Sequence, residues 1–253
     1  MPKPTNDEWG KAHTDDVCAL LRLTPRLQCI ADRVPEGARI ADVGTDHGYL
    51  PAYLLQSGRV ACAIASDINA APLARAKRTA AKYGVAERMD FRLCAGLDGI
   101  LRAEADTVVI AGMGGETIVS ILDAAAWDWR GVTLLLQPMT KAELLRRWLT
   151  GHGFRIAAER LVRDRGTVYA VLTVTAGASA PLTNAEAWCG VGLLHDPLYR
   201  EYALARVKKL ERAAAGLRQA KDLDSAQLAA LEADAAALKE CVKEWEDANG
   251  TGH

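Results

Sequence analysis

The stretch Arg39-Ile-Ala-Asp-Val-Gly-Thr-Asp-His-Gly-Tyr-Leu50 constrains this chain more than any other. A short strand-like run, Arg39 to Asp42, feeds a tight glycine turn, and the turn opens onto Tyr49 to Gln56, a segment of helical composition. Strand, glycine loop and helix in that order aim backbone N–H groups and a helix N-terminus at a ligand. A dinucleotide-binding turn reads Gly-x-Gly-x-x-Gly; here Gly44 and Gly48 bracket Asp46, which stands where the second glycine would be. A carboxylate in that cradle repels phosphate oxygens and suits a ligand whose charge is a sulfonium and an ammonium.

The rest of the first 180 residues supports the same architecture. Residues 1–13 are polar and read as a frayed start, and from Thr14 the spacing of Leu20, Leu21, Leu23, Leu27, Ile30 and Val34 predicts two short helices, or one broken at Pro25. The apolar run Val60 to Ser66 predicts a buried strand, followed by a helix capped by Asn69 and running to about Tyr83. Asp67 lies 25 residues after Asp42 at the tip of that second strand, where a carboxylate meets ribose hydroxyls or simply caps a turn. Strands are expected over Met89 to Leu93, Asp106 to Ala111 and Val132 to Gln137, the last stopped by Pro138. Gly112-Met-Gly-Gly115 follows the fourth strand, and three glycines there favour a ligand-facing loop.

A helix over Lys141 to Thr150 presents Leu144, Leu145, Trp148 and Leu149 as an apolar stripe. Phe154 to Val162 and Thr167 to Thr175 predict a hairpin turning at Arg163-Asp-Arg-Gly166. Strands alternating with helices and closed by a hairpin describe an α/β fold, a doubly wound sheet with one antiparallel edge strand. Gly177-Ala-Ser-Ala-Pro181 is a linker by composition, which divides the chain into residues 1–180 and 181–253. In the second part Ala203, Val207, Leu210, Ala214 and Leu217, and then Leu228, Leu231, Ala235, Leu238, Val242 and Trp245, step at heptad spacing. Asp224-Ser-Ala-Gln227 predicts a capping box between them, so an antiparallel coiled-coil hairpin is expected, free to pair with a second copy as a homodimer.

Charge separates along the chain: residues 1–180 carry 22 Lys and Arg against 20 Asp and Glu, and residues 181–253 carry 9 against 12. Within the tail, Arg200, Arg206, Lys208, Lys209, Arg212 and Arg218 face only Glu201 and Glu211. That segment fits an anionic partner, or a solvated helix face. Six cysteines are scattered with no Cys-x-x-Cys pair, which argues for reduced thiols and against a disulfide framework or a metal site. Apolar runs are too short to span a membrane and the N-terminus has no signal-peptide core, so a soluble, cytoplasmic protein is expected.

Leu23-Thr-Pro-Arg-Leu-Gln28, Ala41 to Pro51, Ala65-Ser-Asp-Ile-Asn69, Ile110-Ala-Gly-Met-Gly-Gly115 and Leu136-Gln-Pro138 together resemble the bacterial tRNA (adenine-22-N1)-methyltransferases, the TrmK family. The resemblance runs from about Leu21 to Val174. It implies a Rossmann-like class I methyltransferase domain, S-adenosyl-L-methionine as methyl donor and N1 of an adenine in the tRNA D-arm as acceptor. The cofactor-binding set it implies is Asp42, Gly44, Thr45, Gly48, Asp67, Ile68, Ala95, Gly96, Leu97, Gly112, Met113 and Gly114, with no metal. Two positions depart from the family pattern: Cys94-Ala95 stands for Gly-Asp, leaving backbone contact to serve there, and Met139 stands for Asn.

Adenine N1 carries its own lone pair, so alignment matters more than a strong base. The product ring is cationic, which makes Asp46 the candidate for stabilising developing charge, with His47 to orient it and Tyr49 to stack on a withdrawn base. Arg200, Arg206, Lys209 and Arg212 are the candidate phosphate contacts. Two other functions remain compatible with these residues: a catalytically silent methyltransferase fold that binds RNA, and a nicotinamide-dependent enzyme on the same sheet.

Overall fold

The structure, a computed structural model, describes residues 20–220 and 224–250. Residues 1–13, the expected helical start near Thr14, and Cys18 lie outside them. In order the elements are α1 (Pro25–Ala31), β1 (Ile40–Val43), α2 (Tyr49–Gln56), β2 (Ala63–Asp67), α3 (Ala70–Lys82), β3 (Met89–Leu93), β4 (Thr107–Gly114) and α4 (Gly115–Ala124). They continue with β5 (Thr133–Thr140), α5 (Ala142–Gly151), β6 (Phe154–Asp164), β7 (Thr167–Ala176), α6 (Asn184–Cys189), α7 (Tyr199–Arg218) and α8 (Ser225–Ala248).

The strands form one seven-stranded sheet in the order β3-β2-β1-β4-β5-β7-β6. β1 pairs in parallel with β2 and β4, and both β1 and β2 are buried at every position, as strands covered on both faces must be. α1, α2 and α3 cover one face, where Ile30, Leu54 and Ala80 meet Ile40 and Val109. α4, α5, α7 and α8 cover the other, where Ile118, Leu145, Val207 and Leu238 meet Val108 and Leu172. The doubly wound α/β class expected from the alternation is therefore present, with the Rossmann-like form that the resemblance implies.

The antiparallel strand is not at the edge. β7 runs antiparallel between β5 and β6, and β6 forms the edge. Burial explains the choice: Ala170, Val171, Leu172 and Val174 of β7 are all buried and need cover on both faces, whereas β6 alternates with exposed charged residues. Arg165 and Gly166, at φ +49° and +80°, make the two-residue turn that joins them.

Prolines account for two further differences. Pro25 does not break a helix but begins α1, because its missing N–H falls where no intrahelical partner exists; Thr24 caps it by accepting from the Leu27 N–H at 3.4 Å. Pro138 does not stop β5, because pairing with β7 ends at Leu136 and the bulged pairing with β4 tolerates the missing donor. Two caps are also simpler than expected. Asn69 makes no side-chain cap, its own N–H being taken by Asp67 Oδ1 at 2.9 Å, and Asp224 accepts from the Gln227 N–H at 2.9 Å in a one-sided cap. β3 and β4 are joined by a loop with one 3-10 turn, Arg102–Glu104, rather than by an α-helix.

α7 and α8 form the expected antiparallel pair, closed by Val207, Leu210, Ala214, Ala235, Leu238, Val242 and Trp245. Their root is fastened to the sheet by a buried network. Arg146 of α5 and Glu159 of β6 are both fully buried and pair at 2.8 Å; Arg146 also donates to the Ala187 carbonyl at 2.8 Å and to the Tyr202 hydroxyl at 3.0 Å. Glu159 accepts in addition from the Val191 N–H at 3.0 Å. Burial alone would lower the Arg146 pKa, but the Glu159 carboxylate and Tyr202 more than offset it and the guanidinium stays charged. Gly190, at φ +93°, fits beside this pair because a Cβ there would lie 3.0 Å from Glu159 Oε2.

Glu159→Gln is expected to destabilise the protein by about 3–5 kcal/mol in urea unfolding, because it leaves a buried guanidinium without a counter-charge. Removing the exposed Arg218–Glu232 pair by Arg218→Ala is expected to cost under about 1 kcal/mol.

Candidate active site

The carboxyl ends of β1, β2 and β4 open onto a cavity of about 980 Å³. Strand ends on this side of a doubly wound sheet are where ligands bind, and β1 is where the strand order reverses. Gly44 at φ +72° and Gly48 at φ +66° fold the turn after β1. The left-handed φ favours glycine at both positions; at Gly48 a Cβ would in addition sit 2.9 Å from the Ala76 Cβ, whereas at Gly44 it would meet only the movable tip of Met113. Asp46 also adopts φ +50°, the left-handed region that a short polar side chain tolerates.

Two carboxylates stand at the base of the cavity. Asp42 is buried and accepts from the Thr45 hydroxyl at 2.6 Å; Asp67 is buried beside it at the end of β2. Burial pushes the Asp42 carboxyl up to about 6, against the lowering effect of the Thr45 hydrogen bond and with a further push from Asp67. An acid held this way welcomes a cationic ligand, which would supply the missing counter-charge. Asp67 presents a carboxylate to the same space while Oδ1 accepts from the Asn69 N–H.

Other expected residues join them. Thr45, Asp46, His47, Tyr49, Ile68, Ala95, Gly96, Gly112 and Met113 line the cavity; Ile68, two-thirds exposed, is an apolar surface beside Asp67. Gly48, Leu97 and Gly114 are not part of the lining: Leu97 is in the core and Gly114 ends β4 as the N-cap of α4. Asp46 is exposed and ion-paired with Arg75, and His47 Nε2 lies 3.7 Å from its other oxygen. The His47 and Tyr49 rings stack, with centroids 5.2 Å apart and planes 2° from parallel, and Tyr49 is 41% exposed. Among the described residues no cluster of three or more His, Cys, Asp or Glu is placed to hold a metal ion.

The far wall contains a cluster that the sequence reading did not assign. Fully buried Gln137 accepts from the Gly112 N–H at 3.1 Å and from Arg26 Nη1, and donates to the Pro138 carbonyl at 2.9 Å. Arg26 lies over the Tyr169 ring at 5.7 Å and pairs with Asp164 at 3.6 Å. Both Arg26 and Gln137 belong to quoted motifs, Thr-Pro-Arg and Gln-Pro, so the signal was visible without a role. On α7, Arg200 pairs with Glu246, Arg206 packs 3.1 Å over the Tyr202 ring, Lys209 lies 3.8 Å from Glu143, and Arg212 is exposed. These four are separate from the cavity lining.

Sheet order, glycine turn and paired strand-end carboxylates define a Rossmann-like methyltransferase. The family described as a methyltransferase domain matches residues 23–172. The Bacillus subtilis tRNA (adenine(22)-N(1))-methyltransferase is 39% identical over 158 residues, covering 62% of this chain and 66% of that protein, just under two thirds of its length. The solved structure of the B. subtilis m1A22 tRNA methyltransferase TrmK matches with a TM-score of 0.79 and 30% identity, over 88% of this chain and 99% of that one. The M. capricolum TrmK structure, in complex with S-adenosyl-homocysteine, matches at 0.73 and 26% identity, over 87% and 98%. This chain belongs to the tRNA (adenine-22-N1)-methyltransferase family.

The raised Asp42 pKa has a definite sign. Because the folded protein keeps this proton to about pH 6 and the unfolded chain releases it nearer 4, the group's contribution to stability is complete below pH 4 and is lost as pH rises through 6. Asp42→Asn is therefore expected to be more stable than the parent at pH 7, by up to about 3 kcal/mol, with the difference vanishing near pH 4. Equality of the two proteins in urea unfolding at pH 7 would contradict a strained carboxylate.

Proposed function

We propose that this protein transfers a methyl group from S-adenosyl-L-methionine to N1 of adenine 22 in the D-arm of tRNA. The observation that carries the reading is the buried Asp42–Asp67 pair at the foot of a cavity wide enough for a nucleoside donor and a purine side by side. When bound, the donor supplies an electrophilic methyl on a cationic sulfur. Asp42 answers its cationic amino-acid end, Asp67 accepts from ribose hydroxyls, Ile68 lies against the adenine ring, and the backbone at Ala95 and Gly96 edges it. Gly112 and Met113 close the remaining side, with the Gly112 N–H held by Gln137.

The acceptor nitrogen attacks with its own lone pair, so the protein's task is alignment and charge stabilisation. The stacked His47–Tyr49 pair presents an exposed aromatic face for the extruded base. Asp46, at the crest of the turn, faces the ring as it becomes positive, with Arg75 and His47 fixing its two oxygens. Arg200, Arg206, Lys209 and Arg212 supply phosphate contacts along α7, and a homodimer through α7 and α8 belongs to the same reading. Among the described residues no helix is long and apolar enough to cross a membrane, and tRNA as partner points to the cytoplasm.

Mass spectrometry of nucleosides from tRNA treated with protein and donor is expected to reveal 1-methyladenosine, and that of ribonuclease fragments to place it at position 22; its absence under saturating donor would defeat the proposal. Asp46→Ala is expected to lower turnover by about tenfold or more with donor affinity unchanged; undiminished turnover would remove Asp46 from the chemistry. Asp42→Asn should instead weaken donor binding in calorimetry. Since α7 shares the core of the sheet, point charges isolate RNA contacts better than truncation. Arg212→Glu is expected to lower tRNA affinity and to reduce the salt slope by about one.

A further inference from the structure

The cavity is not the only space on this face. Met139 and Tyr169 line it and also line a second cleft of about 370 Å³ between the end of β5, the β6–β7 turn and α7. Met139 is 41% exposed, and its sulfur lies 3.7 Å from both Arg26 Nη1 and Gln137 Nε2, so two donors hold a flexible side chain at the boundary between the spaces. Trp188 forms part of the cleft wall, its indole fixed by donation to Asp234 at 2.9 Å, with Lys209 Nζ 5.5 Å from the ring centroid. Lys141 stands on the β5 side.

Charge in the cleft is biased. Lys141, Arg206 and Lys209 line it against Glu143 and Glu201; Glu201 is engaged by Arg163 and Lys141 by Glu116, both from outside the lining, and Lys209 lies 3.8 Å from Glu143, so a phosphate seated here takes the place of Glu116 and Glu143 at the two lysines. Cations beside aromatic walls are how single-stranded nucleic acid is held: the cations track phosphate and the rings take a base face. A base withdrawn into the donor cavity remains tied to its neighbours by the backbone, so a neighbouring nucleotide must lie within one sugar-phosphate step of the cavity wall. The Met139–Tyr169 wall is the one that the two spaces share.

We propose that this cleft seats the nucleotide adjoining the target adenine, its phosphate at Lys141 and Lys209 and its base against Met139 and Trp188. The proposal rests on the tRNA reading above and adds to it a subsite and a role for Met139. Lys141 and Lys209 act here as binding residues, and Met139 as a divider that separates the reacting base from its neighbour.

The test uses the full chain with tRNA. Lys141→Glu combined with Lys209→Glu is expected to raise the KM for tRNA by about tenfold and to flatten its salt dependence by about one to two phosphate contacts, with S-adenosylhomocysteine affinity unchanged. Lys239→Glu, on the exposed face of α8, serves as a control for general charge and should leave KM within about twofold. In parallel, tRNA carrying 4-thiouridine next to the target adenine, on either side, is irradiated with the parent protein, and adducts are expected on peptides containing Met139, Tyr169 or Trp188. Adducts confined to other peptides, an unchanged KM, or an equal rise in Lys239→Glu would overturn the cleft while leaving methylation standing. A parent protein that methylates no tRNA would overturn the underlying reading, and the cleft with it.

Discussion

The buried Arg146–Glu159 pair holds α5, β6, α6 and α7 in one geometry. Four elements converge on it: Arg146 comes from α5, Glu159 from β6, the Ala187 carbonyl from α6 and the Tyr202 hydroxyl from α7. A pair with both side chains fully buried is not in itself a large source of stability, since desolvation consumes most of the Coulombic gain. Its value lies in direction. Leu and Val contacts would let α7 slide along the sheet, whereas a guanidinium that donates to Glu159, the Ala187 and Trp188 carbonyls and the Tyr202 hydroxyl admits one placement. The position of α7 relative to the end of β5, and hence the shape of the cleft between them, follows from that placement.

How legible this was depended on the distance over which the information acts. The turn after β1, the helix beginning at Tyr49 and β3 are local, encoded by glycines and apolar runs, and they lie where the residues placed them. The prolines misled because their effect depends on position within an element. Pro25 has no N–H to lose at the first turn of α1, and Pro138 lies beyond the stretch of β5 that pairs with β7. The place of β7 inside the sheet was readable in principle from its nearly continuous apolar run, which contrasts with the charged alternation of β6. Sequence order suggested an edge, and burial decided otherwise.

The site divides along the same line. Asp42 and Asp67 were legible because each sits at the end of a strand in a known order, and the strand pairing Asp42↔Ala65 sets the two carboxyl ends side by side. Arg26 and Gln137 were not, since 111 residues separate them and only the tertiary fold makes them neighbours. Gln137 is the more telling omission: a buried amide between two strands would be costly unless satisfied, and here its oxygen and nitrogen are both used to fix Gly112 and Pro138. The basic residues of α7 show the opposite error. Their charge was plain in the sequence, but Arg206 is half-buried on Tyr202, where burial lowers its pKa, so much of its charge is directed at the protein itself.

On the proposed chemistry, the two acidic positions in the loop answer two different charges. One positive charge of the donor, on its amino group, persists through the reaction; the other leaves sulfur and appears on the acceptor ring. A carboxylate tight against the sulfur would stabilise the reactants and slow the transfer, because only interactions that strengthen toward the transition state accelerate it. Asp42, buried away from screening solvent and bonded to Thr45, is fixed in place, which suits the charge that stays. Asp46 is exposed and shared with Arg75, which weakens its hold on a cation already bound and leaves it at the rim, where the ring charge develops. Placing the buried, unscreened carboxyl at the foot of the cavity and the screened one at its mouth lets the loop bind one charge without trapping the other.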